Sequence, residues 1–231
     1  MVKDYIIQRT DLKLQRKLFN HKLVTPIELT TENIDNKRHY VLPDGDKLKS
    51  VTTVLSEKSD KTSLFEWKKR VGEEQAQKIT TQASIRGTAF HNIAERYVLN
   101  EEDYKKKEMP VNIDSFNQIK PMLDKYVDNV YGTELALYSK VLGAAGRTDL
   151  VAEYDGVPSI IDYKTSRKIK KEKWIQNYFL QSTIYSMMFE YHYKIKIPQI
   201  VILMAVDHEK PQIFVKQRKH YVNEVIKTFV G

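Results

Sequence analysis

In the stretch GRTDLVAEYDGVPSIIDYKTS, residues 146–166, Asp149 follows a glycine turn, and Asp162 and Lys164 interrupt an otherwise apolar run. On a strand, Asp162 and Lys164 are two apart and point to one face, while Ile161 and Tyr163 point to the other. Asp155-Gly156 is a residue pair that turns a tight hairpin, and a turn centred there sets position 149 opposite position 162. Like charges facing each other across a ladder are destabilising, and a divalent cation reverses that cost. Hard oxygen ligands favour magnesium or manganese, and a neighbouring lysine can steady a phosphate or an attacking water. A D-x-K spacing alone is common by chance, so a structural ion pair is the competing explanation until other residues are brought in.

The elements that would hold these groups are legible in outline. ELALYSKVL, RTDLVAEYD and VPSIIDYKT read as three antiparallel strands. KWIQNYFLQSTIYSMMFEYHY reads as a buried crossover helix, PQIVILMAVD as an interior strand, QIFVKQ as a further strand and YVNEVIKTFV as a closing helix. Upstream, SIRGTAFHNIAERYVLN carries Phe90, Ile93, Ala94 and Tyr97 at the spacing of a buried helical stripe, with His91 and Glu95 one turn apart on a shared face. A further helix is expected over residues 114–130, kinked at Pro121. The first third has a hairpin signal at Asp44-Gly45, a helix start at Ser50, and a capping-box spacing at Ser63 and Glu66 that opens a helix bearing Trp67 and Val71. The resulting expectation is an accessory lobe over residues 1–83, hairpin plus mainly helices, followed by an α/β core over residues 84–231.

Composition narrows the chemistry. The chain has 231 residues, a net charge of +8 and 41% hydrophobic residues, enough for an ordinary core and basic enough for a polyanionic partner, although a lysine-rich solvated surface would look the same. It has no cysteine, which excludes disulfides, thiolate catalysis, cysteine-ligated zinc and iron–sulfur clusters. No apolar run approaches the length of a membrane span and the start lacks the apolar core of a secretory signal. The expectation is a soluble cytoplasmic protein, in the host cytoplasm if viral, with a monomer as the default.

Taken in order, RGTAFHNIAE, GRTD, IIDYKT and QSTIY resemble the RecB-like exonuclease branch of the PD-(D/E)XK nuclease superfamily, and SVTTVL followed by WKKRVGEEQA resembles the mitochondrial genome maintenance exonucleases and their phage relatives. The resemblance implies a restriction-endonuclease-like core, a central mixed sheet flanked by helices, with amino-terminal helices arching over the site to thread a single strand. It implies His91, Asp149, Asp162 and the backbone carbonyl of Tyr163 as metal ligands and Lys164 as the catalytic lysine. Glu95 would bind a second metal or a coordinating water, and Gln181 and Tyr185 would orient the lysine or grip the backbone of the nucleic acid. The implied activity is magnesium-dependent hydrolysis of DNA from free ends, manganese substituting, in replication, repair or recombination. A duplex-end or structure-specific endonuclease and a decayed DNA-binding module are the alternatives.

Candidate contacts to DNA follow from charge and position. Thr165, Ser166, Arg167 and Lys168 come directly after Lys164 and open a basic run suited to phosphate contacts. Arg86, Gly87 and Thr88 stand at the expected start of the histidine helix, where free N–H groups favour an anion. Trp67, on a helix that also carries Lys68, Lys69 and Arg70, is a candidate for base stacking.

Overall fold

A computed structural model describes residues 16–231; the opening stretch weighed above for a targeting signal lies largely outside them. In chain order the elements are β1 (Thr30–Ile34), β2 (Lys37–Val41), β3 (Lys47–Ser50), α1 (Val51–Lys58), α2 (Thr62–Val71), α3 (Glu73–Val98), α4 (Pro110–Tyr126), β4 (Val127–Ser139), β5 (Ala144–Tyr154), β6 (Val157–Ser166), α5 (Gln176–Tyr193), β7 (Gln199–Val206), β8 (Gln212–Gln217) and α6 (Val222–Phe229). Eight strands form one mixed sheet in the order β1-β2-β3-β5-β6-β7-β8, with β4 paired to β5. The fold is mixed α/β with helices on both sides of a central sheet.

Local chemistry accounts for the joints. Asp155 and Gly156 both adopt positive φ, 52° and 73°, the conformation a two-residue hairpin turn requires, and they join β5 to β6 in the expected register. Asp35 and Asn36 do the same between β1 and β2, a hairpin the sequence reading did not single out. Ser50 caps α1, its Oγ accepting the N–H of Thr53 at 3.0 Å, as expected. α2 is instead opened by Asp60, whose carboxylate accepts the Thr62 N–H at 2.8 Å; Ser63 lies within the helix, so the capping-box assignment there is not the one used.

Other boundaries move for identifiable reasons. The break between the second and third helices falls at Gly72, with φ 82°, so α3 runs unbroken for 26 residues through position 83. The next helix begins at Pro110, a residue suited to the first turn, and ends at Tyr126, because Val127 and Val130 are buried into a 13-residue strand. Gly146 lies within β5 and is not a turn; the turn glycine is Gly143, with φ 61°.

Two apolar clusters clamp the sheet. On one side Phe90, Ile93, Tyr97, Phe116, Ile119 and Leu123, from α3 and α4, are fully buried against Leu150, Ile161 and Tyr163. On the other, α5 sets Phe179, Ile184, Met188 and Phe189 against Val151, Ile160, Ile200 and Ile202. Each fully buried side chain of this size contributes roughly 1.5–3 kcal/mol relative to exposure. The described part of the N-terminal third is not set apart from this sheet. β3 pairs in parallel with β5 at Lys49–Ala144 and Ser50–Ala145, and so extends it.

Candidate functional site

The site sits where strand β5 changes partners. One of its edges is paired with β4 along its length. On the other edge, β3 pairs only as far as Ala145, and β6 pairs only from Leu150 onward. Residues 146–149 therefore face an open fork. The ladder between β5 and β6 ends at Leu150–Ile161, one step short of Asp149 and Asp162, so these two are not ladder partners as the hairpin arithmetic suggested. Beyond the last pair, the Asp149 carboxylate takes the place of a backbone acceptor, and its Oδ2 receives the Tyr163 N–H at 2.7 Å.

Around this fork the structure gathers residues far apart in sequence. A cavity of about 460 Å³ is lined by Thr88, His91, Glu95, Glu134, Asp149, Gln181 and Tyr185, together with Gly146 and two arginines. His91 donates from Nε2 to the Tyr163 carbonyl at 2.9 Å, and its Nδ1 lies 3.4 Å from Asp149 Oδ1. One hydrogen bond thus fixes the ring and leaves the second nitrogen facing the carboxylate. Asp162 and Lys164 adjoin Asp149 but do not form part of the cavity wall. Asp162 is 3% exposed, and its Oδ2 lies 2.5 Å from Lys164 Nζ. Lys164 Nζ also sits 4.9 Å from the centre of the Tyr178 ring.

Glu134 is the residue the sequence reading undervalued. At the head of ELALYSKVL an acid looks like a solvated strand end, but Glu134 lies inside β4 on the cavity wall. It falls opposite Asp149, between the Thr133–Leu150 and Leu135–Thr148 pairs, and its backbone is left-handed, with φ 44°. A non-glycine residue held there carries strain on the order of 1–3 kcal/mol, and such strain concentrates at functional sites. The only sequence signal was an acid at strand register with Asp149. Ligand atoms of His91, Glu134 and Asp149 lie within 4.8 Å of one another, a spacing that can hold a metal ion.

Charge balance in this pocket is set by burial and by the few cations present. Burial, reinforced by Asp149 and Glu95, raises the Glu134 carboxyl to about 7. Burial also raises Glu95. Asp162 is pushed up to about 6 by burial, which the opposing effect of Lys164 does not overcome and the like charge of Asp149 reinforces. At Asp149 burial acts in the same upward direction, but His91, Lys164 and the Tyr163 N–H outweigh it and hold the carboxyl below its ordinary value. Burial works to lower His91 and Lys164; the adjacent acids prevail and both are raised. A set of one imidazole and several hard carboxylate oxygens fits a divalent cation.

The remaining candidates, apart from Thr88 on the cavity wall, are dispersed. Arg86, Gly87 and Thr88 lie well inside α3, so they have no free helix-terminal amides, and the anion argument made for a helix start does not apply. Arg86 is engaged by Asp207, with Nη1 donating to Oδ2 at 2.7 Å. Ser166 is buried and its hydroxyl donates to the Lys168 carbonyl at 2.6 Å, while Arg167 reaches Gln82 at 3.3 Å. Thr165 is half-buried within β6 and Lys168 is exposed two residues beyond its end. Trp67 is half-buried on α2, a helix with no fully buried residue.

Gly146 keeps α5 close to the fork. A Cβ there would meet a Tyr185 ring carbon at 2.9 Å and the Tyr185 hydroxyl closer still. Gly146→Ala is expected to cost about 1–3 kcal/mol by overpacking, read by urea denaturation. Unchanged stability would mean that Tyr185 swings aside freely.

The chain is similar to several known proteins. Human mitochondrial genome maintenance exonuclease 1 is 30% identical over 141 residues, 58% of this chain and 39% of that protein. The mouse protein of the same name is 27% identical over 174 residues, 70% of this chain and 51% of that one. The chain thus spans about half or less of the length of these relatives. A solved structure from Eubacterium rectale, provisionally described as an exonuclease, superposes with a TM-score of 0.45 at 17% identity, covering 63% of this chain and 64% of that one. Residues 61–225, which include His91, Glu134, Asp149, Asp162 and Lys164, match the family model of the PD-(D/E)XK nuclease superfamily, and the chain belongs to that superfamily.

Proposed function

We propose that this chain is a magnesium-dependent exonuclease that hydrolyses DNA from free ends, with single strands as its preferred substrate. The observation that carries the reading is the convergence of His91, Glu134 and Asp149 within ligand distance at the β5 fork, with the Asp162–Lys164 pair directly behind them. His91, Asp149 and Glu134 would hold the cation, with Asp162 and the Tyr163 carbonyl alongside. When bound, magnesium or manganese acidifies a water and offsets charge on the phosphate.

The chain's own residues then have separate tasks. Lys164, kept charged by Asp162 and Asp149, supplies a fixed positive charge beside the scissile phosphate and orients the attacking water. Asp162 holds that ammonium in place through the ion pair. Gln181 and Tyr185 line the cavity from α5 and can position either the lysine or the DNA backbone. Glu95, which accepts from Thr133 at 3.4 Å, is placed to hold a water or a second cation.

Preference for single strands is supported by helix α2. Leu64 and Phe65 are 50% and 67% exposed, Trp67 is half-buried beside them, and Lys68, Lys69 and Arg70 follow. Apolar and aromatic groups left in solvent next to cations suit stacking against unpaired bases. The test is a time course on end-labelled linear and circular single strands with magnesium or EDTA. Nucleotide release from linear DNA, dependent on magnesium and absent with circles, is the expected result; rapid cutting of circles would overturn the exonuclease reading in favour of an endonuclease, and binding without cutting would favour a decayed module.

A further inference from the structure

The cavity at the fork does not end at its acids. Its lining also includes Arg38 and Tyr40 from β2 and Arg147 from β5, and the same three residues line a second cavity of about 410 Å³ together with Thr31, Glu32 and Asn33 from β1. Two guanidinium groups therefore stand at the junction of the two cavities. Both arginines are exposed, and neither is within ion-pair distance of a carboxylate among the described residues. The one acid of the second cavity, Glu32, is already paired with Lys47 at 2.8 Å.

This placement answers an electrostatic problem posed by the site. A strand of phosphates must approach Glu95, Glu134 and Asp149, and a bound cation offsets only the charge nearest to it. Lys164 serves the carboxylates behind the cavity, while Arg86 is committed to Asp207. Arg38 and Arg147 are the two arginines that line the cavity itself. Guanidinium forks match phosphate oxygens in pairs, and their charge is permanent.

We propose that Arg38 and Arg147 form a clamp on the phosphate next to the scissile linkage, and that the second cavity receives the nucleoside beyond it, so that the strand passes from the metal-binding acids across β2 toward the β1–β2 hairpin. The proposal rests on the nuclease reading for its substrate, but the clamp itself is a binding site that can be measured without turnover.

Two measurements test it on the full chain. In EDTA, fluorescence anisotropy with a short labelled single strand should show binding weakened about tenfold by Arg38→Ala and by Arg147→Ala, with the slope of log affinity against log salt falling by roughly 0.7 for each. Arg38→Lys and Arg147→Lys should keep the slope and lose part of the affinity, since a point charge remains but the fork does not. In magnesium, a single uncharged methylphosphonate linkage next to the cleaved bond should slow the wild-type protein about tenfold and slow the Arg38→Ala/Arg147→Ala double variant no further. Unchanged affinity and slope in the alanine variants would overturn the clamp, as would a neutral linkage that slows wild type and double variant equally. If the wild-type protein cuts no DNA yet the anisotropy losses appear, the clamp stands and the nuclease reading falls.

Discussion

Lys164→Met is expected to lower nuclease turnover about 10²–10³-fold, the usual cost of removing one group that stabilises charge at the reacting centre, while leaving affinity for DNA within a few-fold of wild type. The asymmetry follows from position. Lys164 stands behind Asp149 at the floor of the site, paired with Asp162 at 2.5 Å, and not on the cavity wall that a strand would touch along its length. Methionine keeps most of the volume and removes only the charge. Asp162 and Asp149 then lose their buried counter-ion, so the variant should also unfold about 3–5 kcal/mol more easily without divalent cation. Magnesium should return part of that loss, because it supplies positive charge to the same carboxylates. Single-turnover cleavage and thermal melts with and without magnesium read both effects. A wild-type rate in this variant would remove Lys164 from the chemistry.

Asp149→Asn should have a larger combined effect, because Asp149 has more partners than any other acid in the site. Its Oδ2 accepts the Tyr163 N–H at the point where β5 and β6 part, and its Oδ1 faces His91. An amide can still accept one hydrogen bond, so the fold is expected to survive. The charge facing His91 and the cation is lost, and with it at least tenfold to a hundredfold in metal affinity, by the general size of changes to metal-site groups. Turnover should fall by more than about 10³-fold, since both cation binding and the setting of the histidine depend on it. Calorimetric titration with magnesium and single-turnover cleavage read these losses, and in the same titration Glu134→Gln should weaken metal binding while leaving the His91–Tyr163 contact in place. Metal affinity unchanged by Glu134→Gln would return that residue to a structural role.

The two variants separate what could be read along the chain from what could not. Asp149, Asp162 and Lys164 stood out because charges in an apolar strand cost energy that something must return. The Asp155-Gly156 turn fixed their approximate register, since only a few residue pairs tolerate the backbone such a turn needs. The stripe on α3 followed from helical periodicity and placed His91 and Glu95 on one turn. These signals are local, carried by residues within a turn or a hairpin of each other.

Glu134, Arg38 and Arg147 have no such local signature. An acid or an arginine on a strand looks solvated until the strands around it are known. Their roles depend on β3 and β6 taking successive stretches of one β5 edge and leaving residues 146–149 open between them. The start of α3 was misplaced for a related reason: the helix-forming run has no stop before Gly72, whose positive φ sets the break. Which groups could do phosphodiester chemistry, and the family they belong to, can be read along the chain, because those signals are short-range and chemically costly to carry without purpose. Which acids come within ligand distance of one another, and which arginines border the same cavity, emerges only from the assembled sheet, because the pairing of β5 with β4 and with β3, the latter joining residues about 95 positions apart, sets those distances.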